Sequence, residues 1–256
     1  MKKIVLPKII VAIAVIVAMA CISLASAKAD GGFYLEGKVG ASAQKLERGF
    51  KVNESLHDPW SDTTLTPQSI GLGSYNHTGF AGGFAIGYDF YPTLDIPLRF
   101  DIDFTFRSYK TIDQEHNLPV RVNNADSQPA TINVPIKEHT KTGIHTIMAN
   151  LYYDFHNSSQ FVPFVGVSGG LALIHFDVSN SYIGDYENID EDYGTGQFGW
   201  GLSAGVYYEV NQDVSVGLSY KYINAGSPNL TEGLFAVDLE TKIVIHDILF
   251  GVRYTF

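Results

Sequence analysis

Charged residues occupy alternate positions in the stretch PLRFDIDFTFRSY, which begins at Pro97. Arg99, Asp101, Asp103 and Arg107, with Thr105 in the same row, alternate there with large apolar residues. Because side chains two positions apart in an extended strand point to the same side, this spacing predicts charges of both signs on one face. Charges confined in an interior are costly unless they pair, so the chemistry that this row offers is mutual electrostatic stabilisation.

Side chains that could support catalysis are present but form no motif. A nucleophile needs a base within hydrogen-bond reach, and His145 with Ser108 or Asp247 supplies the residue types for such a pair. Only side-chain type favours this combination, in a chain that is rich in His, Ser and Asp. The sequence therefore predicts a protein that is not an enzyme and has no catalytic residue.

Metal ligands are equally scattered. His145, His175 and His246 could meet only if their strands align, and no His pair has metal-ligand spacing with a supporting Cys or carboxylate. The segment 177–192 is acidic but breaks the spacing of a calcium loop and lacks its central glycine. We expect no metal and no cofactor. The acidic residues of that segment are Asp177, Asp185, Glu187, Asp190, Glu191 and Asp192.

The N-terminal residues have the pattern of a signal peptide, referred to below as the leader. Lysines in Met1–Lys8 precede an apolar run from Ile9 to Leu24, and small residues follow it at the positions that a signal peptidase needs. The run is shorter than the roughly 20 residues of a membrane-spanning helix, which disfavours an anchor. We predict a cleaved signal peptide over 1–29, with cleavage after Ala27 or Ala29, and one domain over 30–256.

The single cysteine and the net charge further limit the classes of protein to which the chain could belong. Cys21 is the only cysteine, and it lies in the predicted leader, so disulfides cannot stabilise the mature chain. Lipidation at Cys21 is the less favoured alternative, because Ala18 stands where lipoprotein processing usually requires Leu. The formal net charge is −10 and becomes more negative without the leader, which argues against nucleic acid as a partner.

Eight segments after the leader alternate between apolar and polar residues. Strands of about ten residues with this pattern cross a bilayer when lipid faces one side and a polar lumen the other. A half-buried strand of a soluble sandwich could show the same alternation. We predict an all-β fold, an eight-stranded antiparallel up-and-down transmembrane β-barrel. The segments are 33–43, 79–90, 98–109, 142–155, 161–176, 197–210, 214–224 and 246–256.

The connections between these segments alternate in length, which favours the membrane barrel over a soluble one. Those at 91–97, 156–160 and 211–213 are short. Short periplasmic turns and long extracellular loops are typical of outer-membrane barrels, with both chain ends in the periplasm. The long polar connections, rich in turn-forming residues, are 44–78, 110–141, 177–196 and 225–245.

An eight-stranded barrel has an interior that side chains just fill, so inward charges should pair there. We predict a lumen charge network that plugs the barrel and leaves at most a narrow path for water. Alternatively, the charges only solvate a wet interior. In this network Lys38, Arg99 and Arg253 are predicted to pair with Glu36, Asp101 and Asp103. Glu36 is the nearest candidate partner of Arg253, across the seam between the first and last strands. Other charged residues predicted to face inward are Asp89, Arg107, Asp154, Glu209, Lys221 and Asp247.

The chain ends on an aromatic residue after apolar residues at every second position. Phe250, Val252, Tyr254 and Phe256 form this series. It resembles the C-terminal signature that the assembly machinery of bacterial outer-membrane barrels recognises. These four residues are therefore predicted to be the assembly signal.

The motifs GFAGGFAIGYDF, PLRFDIDFTFRSY, FVPFVGVSGGLALI and ILFGVRYTF resemble the strands of opacity-type porins and related small eight-stranded surface antigens. The resemblance covers the strands and not the loops. It implies a monomeric adhesin or surface antigen in a Gram-negative outer membrane, in contact with lipid and lipopolysaccharide, whose loops bind a host receptor or serum protein. The alternatives are a narrow pore for small solutes, then a structural anchor, and last an enzyme at the rim.

Overall fold

The computed structural model describes residues 31–52, 56–58, 63–65, 68–124, 130–182, 189–227, 229–232 and 237–256. The predicted signal peptide lies outside these residues. Nearly all of the described chain is β-strand, and no helix in it is long and apolar enough to cross a membrane.

Twelve strands and one short helix make up the described structure. The helix α1, Tyr91–Leu94, has a proline in its first turn and ends at Asp95, whose φ of 55° lies in the left-handed region. The strands are β1 Phe33–Val52, β2 Leu56–Asp58, β3 Thr63–Leu65, β4 Gln68–Asp89, β5 Leu98–Arg107, β6 Lys110–Asn124, β7 Ala130–Asp154, β8 Phe161–Tyr182, β9 Ile189–Glu209, β10 Val214–Asn224, β11 Asn229–Glu232 and β12 Val237–Thr255.

Eight of these strands form a closed antiparallel barrel, which confirms the predicted fold. Its wall runs β1, β4, β5, β7, β8, β9, β10 and β12, and β12 pairs with β1 to close it. All neighbours are antiparallel, and closure gives every strand two partners, so no backbone edge is left open to lipid. The start of β1 and the end of β12 lie at the same end of the barrel as the short turns, where Phe256 N donates to Phe33 O at 2.8 Å.

The four long connections differ from their prediction as irregular loops. β1 continues to Val52 and pairs along this length with β4, while β6 pairs with β7 from Lys110–Thr142 to Val122–Ala130. β8 and β9 also stay paired beyond the predicted segments, to Asn180–Ile189. Outside lipid a strand no longer needs alternating apolar side chains, but its backbone still gains from ladder hydrogen bonds. The strands therefore extend into polar sequence.

The wall is interrupted between β5 and β6. The β5–β7 ladder ends at Thr105–Thr146 and pairing resumes at Lys110–Thr142, one residue out of register, which is the signature of a β-bulge. In the gap the backbone N–H of Arg107 donates to Nδ1 of His145 at 3.4 Å. A histidine side chain thus replaces a ladder acceptor where β5 was predicted to continue to Tyr109.

Apolar side chains cover the outside of the wall. Val167, Leu202, Leu218 and Ile248 are each half or more exposed, as expected for side chains that face lipid. Aromatic pairs lie at both ends of this band, for example Phe161 with Tyr208 near the short turns and Trp200 with Tyr222 near the long hairpins. Aromatic rings at both interfaces are typical of transmembrane barrels.

Candidate functional site

The lumen of the barrel concentrates the buried charge of the protein. Arg99 and Asp101 are fully buried, and Glu36, Asp103 and Arg253 are nearly so. They face inward because they occupy the polar alternates of β1, β5 and β12, whose other alternates face lipid. All six residues of the predicted network lie in this lumen, but their partners differ in part from the predicted ones.

Arg99 forms a two-pronged ion pair with Asp154. Its Nε lies 2.9 Å from Asp154 Oδ2 and its Nη2 lies 3.1 Å from Oδ1. The guanidinium also lies over the ring of Tyr152, 4.1 Å from the centroid. The prediction that Arg99 pairs with Glu36, Asp101 or Asp103 is therefore wrong. Asp154 lies diagonally across on β7, two residues beyond Tyr152, which is directly opposite Arg99, and it is close enough for the parallel hydrogen bonds that an arginine fork prefers.

Asp101 accepts hydrogen bonds from neutral groups instead. Tyr34 Oη donates to Asp101 Oδ2 at 2.8 Å, and Asn150 Nδ2 donates to Oδ1 at 2.5 Å. Arg99 Nη1 in turn donates to the Tyr34 hydroxyl oxygen at 3.2 Å, so Tyr34 links the arginine to the carboxylate. Neutral donors thereby satisfy both oxygens of a fully buried carboxylate.

Asp103 lies between two lysines. Lys221 Nζ lies 2.8 Å and Lys38 Nζ lies 3.4 Å from Asp103 Oδ2. Lys221 also donates to Asn150 Oδ1 at 2.8 Å, which joins this cluster to Asp101. The pairing of Lys38 with Asp103 falls within the predicted network, whereas Lys221 on β10 is an additional member.

Glu36 and Arg253 are direct neighbours across the β1–β12 seam, as predicted, but they are not among the ion pairs of the described residues. Glu36 Oε1 accepts a 2.6 Å hydrogen bond from Tyr207 Oη. The Arg253 guanidinium lies over the rings of Tyr207 and Tyr34, at 3.7 and 4.7 Å. A cation stacked on ring faces is stabilised by their quadrupoles, so aromatic rings replace the predicted carboxylate.

A further ion pair crosses the lumen nearer to the long hairpins. Arg107 Nε and Nη2 donate to the two oxygens of Asp247, at 3.2 and 2.5 Å, and both side chains are wholly buried. Arg107 Nη1 also donates to Thr146 Oγ1 at 3.2 Å. The two residues come from β5 and β12, which are not adjacent in the wall. Sequence reasoning placed both inside but left them out of the network.

Nearer to the long hairpins the lumen is lined largely by apolar side chains, which the sequence analysis missed. The residues of this apolar layer are almost completely buried and belong to β1, β7, β8, β10 and β12, except Ala225, which directly follows β10. Alternation could have revealed part of it, since Ile144 and Met148 occupy inward positions of a predicted strand, whereas Ile243 and Ile245 lie in a predicted loop. The layer consists of Leu46, Ile144, Met148, Ala172, Ile174, Ile223, Ala225, Ile243 and Ile245.

The structure does not bring His145 and Asp247 together as the catalytic pair that the sequence analysis considered. Asp247 is bound to Arg107, and Nδ1 of His145 accepts the backbone N–H in the gap of the wall. His145 and His175 both contact the Tyr109 ring, whereas His246 is hydrogen-bonded to Tyr220 at 2.7 Å. In the part of the chain that the structure describes, no three His, Cys, Asp or Glu side chains are grouped to hold a metal ion.

Residues 12–256 match the family described as the outer membrane protein beta-barrel domain. The chain belongs to this family. It is 32% identical over 243 residues to the outer membrane protein PagN of Salmonella typhimurium (strain LT2), covering 91% of this chain and 93% of that protein. It is 26% identical over 207 residues to an uncharacterized protein of Brucella suis biovar 1, covering 77% and 69%. The crystal structure of Neisserial surface protein A (NspA) covers 88% of this chain and 97% of that one, with 21% identity and a TM-score of 0.43.

Membership in the outer membrane protein beta-barrel family places the protein in the outer membrane. The residues predicted as the assembly signal lie on β12 at the barrel's closing seam. Phe250, Val252 and Tyr254 each expose 47% of their surface on the lipid side, and the ring of Phe256 meets that of Tyr254 edge-on at 5.1 Å. Recognition of these residues by an assembly machinery stays a prediction.

Conductance tests the plugged lumen. We expect purified protein in planar bilayers to give no steady open-channel current, because the apolar layer offers ions no hydration and the charges below it are paired. Replacing Ile174 and Ile245 by Gly should introduce a leak, whereas replacing the lipid-facing Val167 and Ile248 by Gly should not. A large, steady current through the unmodified barrel would show that the lumen is not plugged.

Proposed function

We propose that the protein is a surface-exposed adhesin or antigen that presents its long hairpins outside the cell. The observation that carries this proposal is the joining of the first two hairpins. β3, from the connection between β1 and β4, pairs with β6 from Thr63–Asn124 to Leu65–Val122, and β6 pairs with β7. Segments from two connections therefore form one sheet, β2–β3–β6–β7, at the end opposite the short turns.

A composite sheet of this kind offers a partner more surface than separate loops would. Surface loops on a rigid scaffold are a common place for binding sites. The narrow pore is less favoured as the function, because the apolar layer and the ion pairs fill the lumen of the described residues. The hairpin-shortening experiment described below distinguishes an adhesin from a structural anchor that binds no ligand.

The remaining features of the proposal concern topology and partners. The leader 1–29 would direct export and be removed, the short turns and both chain ends would lie in the periplasm, and the barrel would be monomeric. The assembly machinery would bind β12, outer-membrane lipid and lipopolysaccharide would surround the wall, and a host receptor or serum protein would bind the hairpins. Protease added to intact cells would cut the hairpins and spare the short turns if this topology holds.

The adhesin role is tested by shortening the joined hairpins at paired residues. A two-residue Asn-Gly turn would link Glu47 to Ser74 in one hairpin and Ile112 to Thr140 in the other, since each couple is directly opposite in its ladder. Bacteria carrying this variant should lose most of their binding to cultured epithelial cells. Unheated gel mobility and surface labelling would show that the shortened barrel is folded and present.

A matched control shortens the β8–β9 hairpin between Phe176 and Tyr193, which are also directly opposite. This variant should retain binding, because it keeps every residue of the β2–β3–β6–β7 sheet and removes only the β8 partners of β7 from Ile136 to Lys141. If the doubly shortened barrel reaches the surface and its cells bind as before, the protein is not an adhesin through this sheet, and an anchoring role becomes the better explanation.

A further inference from the structure

The connection between β4 and β5, residues 91–97, is the apolar one of the three short turns. We call it the α1 connection, because it contains α1, and it includes Tyr91, Leu94 and Ile96. The turns 156–160 and 211–213 consist instead of His, Asn, Ser, Gln and Asp. Leu94 is 59%, Ile96 40% and Tyr91 38% exposed. Apolar side chains grouped in this way gain free energy from a partner that shields them from water.

Contacts on two sides hold the α1 connection at the outward face of the wall. Tyr88 of β4 is directly opposite Phe100, which is on the lipid-facing row of β5, and Tyr88 Oη is hydrogen-bonded to Thr93 Oγ1 at 2.9 Å. The ring of Tyr91 stacks on that of His156, with 3.6 Å between the centroids. His156 comes from the turn after β7, the neighbour of β5 in the wall. The connection therefore lies along the edge of the wall below β4, β5 and β7.

The two ends of the α1 connection are pinned to the wall. Phe90 N donates to Leu98 O at 3.0 Å, which closes the segment where the lipid-facing rows of β4 and β5 end. Between these two residues α1 is a single turn of four residues. The exposed apolar side chains of the connection therefore remain close to the boundary between lipid and water.

The backbone of the α1 connection is suited to surroundings with little water. The N–H groups of Tyr91, Leu94 and Asp95 donate to acceptors within the segment 89–91, at 2.9 to 3.0 Å. Two prolines of the connection have no N–H that would need an acceptor. An unsatisfied backbone group is costly to remove from water, so these features lower the cost of entering the membrane interface.

The chemistry of the α1 connection favours lipid over other partners. Three apolar side chains are few compared with the roughly 20–30 residues that each side contributes to a stable protein interface. Tyrosine with aliphatic neighbours is typical of the boundary between headgroups and acyl chains. Asp95, the only charge of the connection, is exposed and gives no attraction for an anionic headgroup.

We propose that Tyr91, Leu94 and Ile96 dock the short-turn end of the barrel onto the phospholipid surface beside β4 and β5. Their side chains enter the region of the headgroups and upper acyl chains, while Asp95 stays in water. Because the other two short turns are polar, the barrel is anchored at this end on one side only. The docking involves the membrane around the barrel, so it holds whether or not the hairpins bind cells and whichever side of the membrane this end faces.

Spin labelling measures the docking, because the chain from residue 30 onward contains no cysteine. A nitroxide is attached in turn to Leu94→Cys and Ile96→Cys in the mature protein, refolded into phosphatidylcholine vesicles. Collisions with oxygen, which concentrates in lipid, are compared with collisions with a water-soluble nickel complex. The references are Val167→Cys on the lipid-facing wall and Gln212→Cys in a polar turn. We expect an oxygen-to-nickel ratio at 94 and 96 several times that at 212, with no increase when phosphatidylglycerol is added.

A second variant tests whether the apolar side chains cause the docking. Leu94→Gln keeps the approximate size of the side chain and removes its apolar end, and it should lower the ratio measured with the Ile96→Cys label towards the value at Gln212. The matched control is Ser158→Ala in the neighbouring polar turn, which should leave that ratio unchanged. Both positions are exposed, and unheated gel mobility would show that each barrel is folded.

Three results would overturn the proposal. A ratio at 94 and 96 as low as that at Gln212 would place the α1 connection in water. Few collisions with both reagents would mean that protein, such as a second copy of the barrel, covers it. A ratio that rises only when phosphatidylglycerol is present would indicate electrostatic attraction to anionic lipid and not apolar docking.

Discussion

The variant Asp247→Leu should lower the free energy of unfolding by about 3–5 kcal/mol, because it leaves Arg107 buried without its counter-charge. In the intact protein the Arg107 guanidinium meets both oxygens of Asp247, and neither side chain reaches solvent. Its further donation to Thr146 cannot neutralise the charge. Equilibrium unfolding by denaturant, with the barrel in lipid vesicles, measures the change.

The double variant Arg107→Met/Asp247→Leu should regain most of the lost stability. Replacing both members of a buried ion pair by apolar residues is often neutral or stabilising, and Ile144 and Ile245 of the apolar layer lie next to the two positions. A surface control is Lys45→Gln, since Lys45 pairs with Glu47 at 2.7 Å with both side chains 46% exposed. An Asp247→Leu barrel no less stable than the Lys45→Gln barrel would show that the buried pair is not stabilising.

Removal of Phe256 should reduce the amount of protein in the outer membrane severalfold and leave the stability of a folded barrel little changed. The residue ends the lipid-facing row of β12 and contributes one terminal hydrogen bond, to Phe33. The packing that it loses is the edge contact with Tyr254 at the surface of the barrel. Its expected role therefore lies in recognition during insertion. Quantitative blotting of outer-membrane fractions measures the first effect, and unfolding of protein refolded in vitro measures the second.

The matched control for Phe256 is Phe155→Ala. Phe155 is 48% exposed and lies at the same end of the barrel, so its loss also removes one lipid-facing ring. Cells should assemble this variant normally. Equal loss of the two proteins from the outer membrane would mean that the interface needs its aromatic rings in general, and that β12 carries no special signal.

The eight wall strands could be predicted from sequence because lipid on one side and a packed lumen on the other impose alternation within the membrane. The true lengths of these strands could not be predicted. β1 runs on to Val52 and β7 starts at Ala130, in stretches that were assigned to loops because polar and turn-forming residues are frequent in them. The apolar residues at every second position there, for example Ile132, Val134 and Ile136, were a signal that the sequence analysis did not use. The bulge between β5 and β6 was also missed, although the sequence signals it: Ser108 and Tyr109 break the alternation of β5, because Tyr109 falls in the row of the charged residues.

The inward positions of the charged residues were predictable, and their partners were only partly so. Alternation places Arg99, Asp154 and Arg253 inside but does not say which strands face one another across the lumen. That relation depends on the tilt and stagger of the closed sheet. The sequence analysis also considered carboxylates as the only partners of arginine, whereas Tyr34 and Tyr207 receive Arg253 on their ring faces.

The interruption of the wall beside His145 has a mechanical consequence. The β6–β7 hairpin continues directly into the barrel on its β7 side, and β7 is held by β8 from Ile136–Tyr182 to Asp154–Phe164 without a break. On its β6 side it is attached through Ser108 and Tyr109, which lie outside the ladder. A pull on the far end of this hairpin is therefore resisted on its β7 side by the whole β7–β8 ladder, whereas on its β6 side the pairing with the barrel is interrupted before β5.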